Sequence, residues 1–248
     1  TCVVKHASNV SGCSLLIEKL IMDHTPFKNI YRTLLIGSDQ VEAIIKHDAI
    51  KGVSLTGSDA AGSAVGMQAG KEIKKTVLEL GGSDPFIVLD DADISKASKT
   101  AIIARFFNAG QSCIAAKRFL VHEAVYDEFI NNVQKNIKRL VVGDALNENT
   151  QIGPLAKKEF SEEIDRLVQS SIKEGAKCLV GGERKGSYYM PTLLIDVTED
   201  MSVFKEETFG PVFCVTKIKD IDDAVRLANN SDYGLGGSLW TSNISLAK

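Results

Sequence analysis

The first part of the chain alternates short apolar runs with stretches whose apolar residues recur at helical spacing. The apolar runs at 3–5, 32–37, 52–56 and 76–80 predict strands. The stretches between them predict helices, the first with an apolar face formed by Leu15, Leu16, Leu20 and Ile21. Strand and helix therefore alternate with short links, a pattern that predicts a parallel sheet covered by helices.

The rest of the chain repeats this alternation after a break at Gly81-Gly82 and Asp84-Pro85. Apolar runs at 85–89, 118–121 and 212–215 predict strands, and helical spacing predicts helices at 95–107, 126–140, 157–173 and 221–229. The fold class predicted is α/β, with one domain at 1–82 and a second at 83–248.

Both ends of the chain look cut. The sequence opens inside an apolar run without an initiator Met and stops in polar residues shortly after Trp240. A parallel sheet that begins at its second half would leave an unpaired edge. We therefore expect the chain to be a piece of a longer protein.

Composition excludes several classes of function. The 248 residues are 44% hydrophobic and 25% charged, with a net charge of −3, so nothing favours nucleic acid or a membrane as a partner. No apolar run approaches the ~20 residues of a membrane helix. The five scattered cysteines include no Cys-x-x-Cys pair and the four histidines are far apart, which predicts a reducing cytoplasm and no metal site.

One cysteine and one glutamate are the candidates for chemistry. Cys113 follows a Gly110-Gln111 loop, and Glu79 ends an apolar run between Leu78 and Leu80. A thiol and a carboxylate can act as nucleophile and base on a carbonyl. The apolar flanks Leu78 and Leu80 predict partial burial of Glu79. The alternatives are a small buried hydrophobe at Cys113 and a solvated strand-end charge at Glu79.

Four motifs, in this order along the chain, resemble the aldehyde dehydrogenase superfamily: Thr56-Gly57-Ser58, Leu78-Glu79-Leu80-Gly81-Gly82, Phe107-Asn108-Ala109-Gly110-Gln111-Ser112-Cys113 and Glu206-Glu207-Thr208-Phe209-Gly210-Pro211. The resemblance covers nearly the whole chain. Segments 5–10, 81–88 and 115–119 are most similar to the bacterial succinate-semialdehyde dehydrogenase branch.

The resemblance implies an NAD(P)-dependent oxidation of an aldehyde to the carboxylic acid, with succinic semialdehyde as the candidate substrate. Cys113 would add to the aldehyde carbon, hydride would leave for the nicotinamide, and water activated by Glu79 would hydrolyse the resulting thioester. Residues 1–82 would be the second half of a dinucleotide-binding domain, and 83–248 a catalytic domain. The intact protein is expected to be a homo-oligomer.

The resemblance also implies a set of binding residues. The cofactor, NAD or NADP, would be bound by Lys5, Ser8, Gly57, Ser58, Gly62, Leu80, Gly81, Glu207 and Phe209. The substrate pocket would include Phe107, Ser112 and Ile114. Many NAD-preferring relatives carry Glu at the position of Ser8, which would repel a 2′-phosphate, so we expect use of NAD with tolerance of NADP.

The chain departs from the family pattern at two places. The family's oxyanion-hole asparagine and its C-terminal pocket segment lie outside this sequence. Several succinate-semialdehyde enzymes carry an arginine six residues before the nucleophile, where this chain has Phe107. An aromatic ring there favours an apolar aldehyde unless Arg105, Lys117 or a residue outside this chain binds a substrate carboxylate. Arg118 is expected to be structural.

Three alternatives remain at this point. A CoA-acylating relative would not need Glu79 as a hydrolytic base. A cysteine hydrolase should carry an activating histidine, and none of the four is well placed. A non-catalytic relative would not need both Cys113 and Glu79.

Overall fold

The computed structural model describes residues 1–247, and the chain divides into two compact units, Thr1–Leu80 and Gly81–Lys248. The division falls two residues before the boundary that the glycine pair predicts. Both units mix helices with parallel strands, so the predicted α/β class is confirmed. No helix among the described residues combines the length and apolar character that crossing a bilayer requires.

The first unit contains two pairs of parallel strands, β1 with β2 and β3 with β4. Its elements are β1 (Cys2–Val4), α1 (Ser11–His24), β2 (Tyr31–Thr33), α2 (Val41–Lys46), β3 (Gly52–Thr56), α3 (Asp59–Lys71) and β4 (Lys75–Glu79). The strand predicted at 32–37 is shorter than expected, because a 3₁₀ turn at Ser38–Gln40 leads into α2. The other predicted strands and helices of this unit are present.

The apolar face predicted for α1 is exposed within the described chain. Leu15, Leu16 and Leu20 are each about half exposed. The buried residue of α1 is Ser14, whose hydroxyl donates to the Thr33 hydroxyl over 3.1 Å. The helix therefore turns a polar side toward β2, which apolar spacing alone does not predict.

The second unit is built on a six-stranded sheet, in the order β12-β5-β6-β11-β10-β7 within the described residues. Its strands are β5 (Asp84–Val88), β6 (Ala116–His122), β7 (Lys177–Val180), β8 (Arg184–Lys185), β9 (Tyr188–Tyr189), β10 (Thr192–Ile195), β11 (Val212–Ile218) and β12 (Ser238–Trp240). Its helices are α4 (Ile94–Phe106), α5 (Tyr126–Ile137), α6 (Lys158–Lys173), α7 (Ser202–Lys205) and α8 (Ile221–Asn229). All neighbouring pairs of the large sheet are parallel except β10 with β7, and β8 and β9 form a separate antiparallel pair.

The core of the second unit lies at the central strands β6 and β11. The rings of Phe119 and Phe213 stack with centroids 3.6 Å apart, and Phe86 on β5 packs against Phe119. The apolar stripes predicted for α5 and α6 face this core, because Phe129, Val133, Leu167 and Val168 are all buried. Cys113 lies in the loop that leads from α4 into β6, so the buried strand β6 fixes one end of that loop.

Leu120 lies fully buried on β6, so replacing it by alanine should leave a cavity in this core. We expect Leu120→Ala to lower the free energy of unfolding by about 2–5 kcal/mol. Urea unfolding followed by circular dichroism measures the loss. The matched control is Leu146→Ala at a residue that is 92% exposed, where a change below about 0.5 kcal/mol is expected. Equal losses in the two variants would contradict the assigned core.

Candidate active site

Cys113 follows a tight left-handed turn at the end of α4. Asn108, Ala109 and Gly110 have φ values of 52°, 53° and 76°, so three consecutive residues adopt a conformation that side chains disfavour. Asn is among the residues that tolerate it best, and Gly has no penalty. The turn reverses the chain between α4 and β6 and leaves Cys113 partly buried.

Gln111 stabilises this turn by hydrogen bonds to Asn108 and to Ala156. Its side-chain nitrogen donates to the Asn108 carbonyl over 3.2 Å, and Asn108 returns a bond to the Gln111 carbonyl over 2.9 Å. The Gln111 side-chain oxygen accepts a hydrogen bond from the Ala156 amide over 2.9 Å. The Asn and Gln of the motif thus fix the approach to Cys113 without touching the thiol.

Arg105 joins the turn to the segment that carries Glu207. This fully buried guanidinium donates to the carbonyls of Ala116 over 3.0 Å, Thr208 over 2.6 Å and Gly210. Burial lowers the pKa of Arg105 to about 10, which still leaves it charged at neutral pH. A Cβ on Gly110 would lie 2.2 Å from the Gly210 carbonyl oxygen, so the two segments approach as closely as a glycine allows.

The Lys117 side chain is only 1% exposed and contacts the two peptide groups on either side of the Cys113 α-carbon. Its ammonium donates to the carbonyls of Ser112 over 2.9 Å, Cys113 over 3.0 Å and Ala115 over 3.2 Å. The same nitrogen lies 3.2 Å from Oε1 of Glu207. Burial, and then the charge of Arg105, lower the pKa of Lys117, while Glu207 opposes that shift.

The glycine pair completes the site. The Gly82 amide donates to Oε1 of Glu207 over 3.1 Å, and a Cβ on Gly82 would lie 2.4 Å from the Cys113 carbonyl oxygen. A Cβ on Gly81 would lie 2.6 Å from Oε2 of Glu207. Within the second unit, Gly81, Gly82, Cys113, Lys117 and Glu207 therefore form one connected group, and both glycines are needed for close approach.

The residues predicted for the substrate pocket differ in exposure. Phe107 is 74% exposed and Ile114 is 67% exposed, whereas Ser112 is partly buried. Ile114 lines a cavity of about 210 Å³ together with residues of β5, α4 and β12. Phe209, predicted to pack beside the nicotinamide, is 38% exposed. Their roles in binding stay predictions.

The first unit places three predicted cofactor residues at the start of α3. The Ser58 hydroxyl caps the helix by accepting from the Ala61 amide over 3.3 Å, and the Gly57 amide donates to the Glu79 carbonyl over 2.9 Å. A Cβ on Gly62 would lie 2.5 Å from a methyl carbon of Leu80, so α3 packs closely against the end of β4.

The other two predicted cofactor residues of this unit lie near its beginning. Lys5 and Ser8 are both exposed. The Lys5 ammonium donates to the His6 carbonyl over 3.3 Å, and the Ser8 carbonyl accepts from the Ser11 hydroxyl over 3.0 Å. Both side chains are therefore accessible to a ligand.

Glu79 lies at the end of β4, and the partial burial predicted for it is wrong. The residue is exposed, since Val77 and Leu78 beside it are 58% and 37% exposed and give it no apolar cover. Glu79 belongs to the first unit and Cys113 to the second. The shared pocket predicted for them stays a prediction.

Arg105 and Lys117, the two cations considered for binding a substrate carboxylate, contact other groups of the protein instead. The donors of Arg105 and Lys117 are directed at backbone carbonyls and Glu207, and both side chains are enclosed, so that interpretation is wrong. Arg118 is structural, as predicted, because it donates to the carbonyls of Ser83, Leu227 and Ala228. The sequence reasoning missed the contact of Lys117 with Glu207. The position of Lys117 next to the apolar residues of β6 could have indicated it, because a buried charge needs a partner.

Cys214 provides a contrast to Cys113 within the same unit. It is fully buried on β11, and burial raises the pKa of its thiol to about 12. A thiol in that environment is inert. Cys113 is the cysteine of this unit that combines partial exposure with ordered polar surroundings.

The arrangement of these motifs agrees with a known family. The model of the aldehyde dehydrogenase family matches residues 1–248. The chain belongs to the aldehyde dehydrogenase family. The resemblance carried by the four sequence motifs is therefore confirmed.

Similar proteins extend over almost all of this chain. An aldehyde dehydrogenase of Paenarthrobacter nicotinovorans is 45% identical over 98% of the chain, and a succinate-semialdehyde dehydrogenase [NADP(+)] of Mycobacterium leprae is 44% identical over the same share. The structure of succinic semialdehyde dehydrogenase from Streptococcus pyogenes, in complex with NADP⁺, is 36% identical, with a TM-score of 0.95 over 99% of the chain. The chain spans about half the length of these relatives, 54% of the two curated proteins and 55% of the solved one.

The closeness of Gly110 to Gly210 can be tested by adding one methyl group. We expect Gly110→Ala to destabilise the protein by about 2–4 kcal/mol, because it adds overpacking to the cost of a positive φ. Gly186→Ala is the control, since its φ is also positive, at 60°, but no atom lies within 4 Å of the added Cβ. Urea unfolding should show a clearly smaller loss at Gly186, and equal losses would argue against the close contact.

Proposed function

We propose that the intact protein oxidises an aldehyde to the carboxylic acid with NAD or NADP, using Cys113 as nucleophile and Glu79 to activate water. The observation that carries the proposal is the group around the partly buried Cys113, in which the buried ammonium of Lys117 donates to the Cys113 carbonyl and forms an ion pair with Glu207. A hydrolase would need an activating histidine, and the His47 and His122 rings instead cap local turns. The group supports covalent chemistry on a carbonyl.

The first chemical step belongs to Cys113. Its sulfur adds to the aldehyde carbon, and the carbonyl oxygen becomes an alkoxide that needs a hydrogen-bond donor. The Cys113 amide donates to no acceptor within residues 1–247, and we assign it as one such donor. Loss of such a donor typically costs ~10²–10³ in turnover.

The residues of both units fit a dinucleotide cofactor. In the first unit, β3 runs into the thirteen-residue helix α3 through Gly57 and Ser58, and the amino end of a helix favours a pyrophosphate. In the second unit, Lys117 and Gly82 fix the carboxylate of Glu207, which suits ribose hydroxyls as donors. When bound, the nicotinamide supplies the hydride acceptor.

The last step needs a base and water. Hydrolysis of a thioester on Cys113 requires a proton acceptor for the attacking water, and we assign that role to Glu79. Its exposed position at the end of β4 gives water access to the carboxylate. The presence of Glu79 disfavours a CoA-acylating reaction, because that reaction needs no hydrolytic base.

We propose succinic semialdehyde as the first substrate to test, on the strength of the named relatives. The exposed ring of Phe107 favours apolar aldehydes, so short aliphatic aldehydes are the comparison. Enclosure of Arg105 and Lys117 means that a substrate carboxylate would be bound by other residues of the intact protein.

We also propose a cytoplasmic homo-oligomer. Every cysteine of the described chain is free, as expected in a reducing compartment. The assembly state rests on the family resemblance.

Substitution of the two reacting residues tests the mechanism. Cys113→Ser should abolish NAD(P)H formation from aldehyde. Glu79→Gln should slow turnover by ~10²–10⁴ and allow an acyl adduct on Cys113 to accumulate, because the hydrolytic base is lost. Mass spectrometry after mixing with aldehyde and NADP detects the adduct. Cys178→Ser at an exposed cysteine is the control and should keep full activity. An active Cys113→Ser enzyme would exclude the mechanism.

Ser8 can be tested as a determinant of cofactor choice. Ser8→Glu should lower kcat/KM for NADP at least ~10-fold more than for NAD, because a carboxylate within a few ångströms repels a 2′-phosphate. Initial rates with each cofactor give the ratio. Ser95→Glu places the same charge on an exposed helix start in the other unit and should leave the ratio unchanged. An unchanged ratio for Ser8→Glu would remove this residue from cofactor recognition.

A further inference from the structure

Lys117 differs from the other buried cations of the second unit in what it contacts. Within the described residues, Arg105 and Arg118 donate to backbone carbonyls and form no ion pair with a carboxylate. Lys117 donates to the carbonyls on both sides of the Cys113 α-carbon, those of Ser112 and of Cys113 itself. It also lies 3.2 Å from the carboxylate of Glu207. One ammonium therefore contacts two candidate functional groups at once.

The bond to the Ser112 carbonyl sets the direction of the Cys113 amide. The two groups belong to the same peptide, which is trans, so its C=O and N–H point in opposite directions. With the carbonyl directed at Lys117, the N–H is directed away from it. A cation on the carbonyl also polarises the peptide and makes its N–H a stronger donor.

The other end of the contact fixes Glu207. Both Lys117 and the Gly82 amide are directed at Oε1, at 3.2 Å and 3.1 Å. Oε2 has neither of these two contacts. It packs against Gly81, where an added Cβ would lie 2.6 Å from it. The carboxylate is thus oriented by one oxygen, and the orientation depends on Lys117.

The charges around Lys117 show why it is sensitive to its partner. Arg105 disfavours the ammonium electrostatically, whereas Glu207 and Asp84 favour it. Removing one member of a buried ion pair leaves the other uncompensated. A change at Glu207 therefore alters the energy of Lys117 and, through it, of the Ser112–Cys113 peptide.

We propose that Lys117 is a positioning residue that couples Glu207 to the Cys113 peptide, so that cofactor binding at Glu207 and reactivity at Cys113 depend on each other. The proposal rests on the function proposed above and adds a residue that the sequence motifs do not single out. Coupling of this kind is reciprocal in binding free energy: if NADP binding changes the energy of one state of the Cys113 peptide, that state changes the affinity for NADP by the same factor.

The test compares Lys117→Met, Glu207→Gln and the double variant in the intact protein. Site-resolved mass spectrometry gives the rate of Cys113 alkylation by iodoacetamide with and without NADP, and fluorescence titration gives the Kd for NADP. In the wild type, NADP should change the alkylation rate of Cys113. In Lys117→Met that dependence should vanish, and the Kd should rise at least ~10-fold, since a buried charge partner is lost.

The double variant separates coupling from two independent defects. If Lys117 and Glu207 act together, the double variant should have a Kd for NADP no higher than that of the single variant that binds NADP more weakly. Lys177→Met is the matched control, because Lys177 forms an exposed ion pair with Asp196 at 2.9 Å, and neither readout should change. Lys117→Arg, which restores the charge, should recover part of the NADP dependence.

Several results would overturn the proposal. Retention of the wild-type NADP effect on Cys113 in folded Lys117→Met would do so, as would multiplicative losses of affinity in the double variant. If Lys117→Met does not fold, Glu207→Gln decides alone, because an unchanged NADP effect on Cys113 in that variant excludes the coupling. These outcomes leave the proposed function standing, whereas an active Cys113→Ser enzyme removes the function whatever Lys117 does.

Discussion

The ion pair between Lys117 and Glu207 is the contact on which the site in the second unit depends. An ammonium that is 1% exposed loses nearly all its hydration, and a cost of several kcal/mol is expected unless partners replace the water. Three carbonyls and a carboxylate do so here. Because those partners belong to the Cys113 loop and to the segment of Glu207, satisfying one buried charge fixes both segments.

Close backbone approach is the second constraint. The glycines at 81, 82 and 110 each lie where a Cβ would collide with an atom of the site. Gly210 does the same against the core, since a Cβ there would collide with Ile164 of α6. The glycines of the motifs are thus required by packing between segments, and Arg105 bonds the same segments from inside the core.

Much of the fold follows from the pattern of the sequence. The stripes at 126–137 and 158–173 are strongly amphipathic and face the core as predicted, because a helix with one apolar side has one way to bury it. Strands β7, β10 and β12 were not predicted, because their pairing comes from distant parts of the chain.

The site was predictable in its motifs and not in its contacts. The sequence predicted Cys113 after a Gly110-Gln111 loop but not the left-handed turn that begins at Asn108. The burial predicted for Glu79 is wrong, because Val77 and Leu78 beside it are exposed. Lys117 was considered in the sequence only as a cation for a substrate carboxylate, and its contact with Glu207 was not predicted. Its partners lie at 112–115 and 207, and sequence spacing does not relate those segments.

A crystal structure of Lys117→Met in the intact protein, compared with the wild type, tests the account most directly. The account predicts that the Glu207 carboxylate loses its hydrogen bond to the Gly82 amide and that the Ser112 carbonyl turns toward a new donor, while the Arg105 contacts persist. A variant in which Glu207 and the Ser112–Cys113 peptide keep their wild-type positions would contradict it.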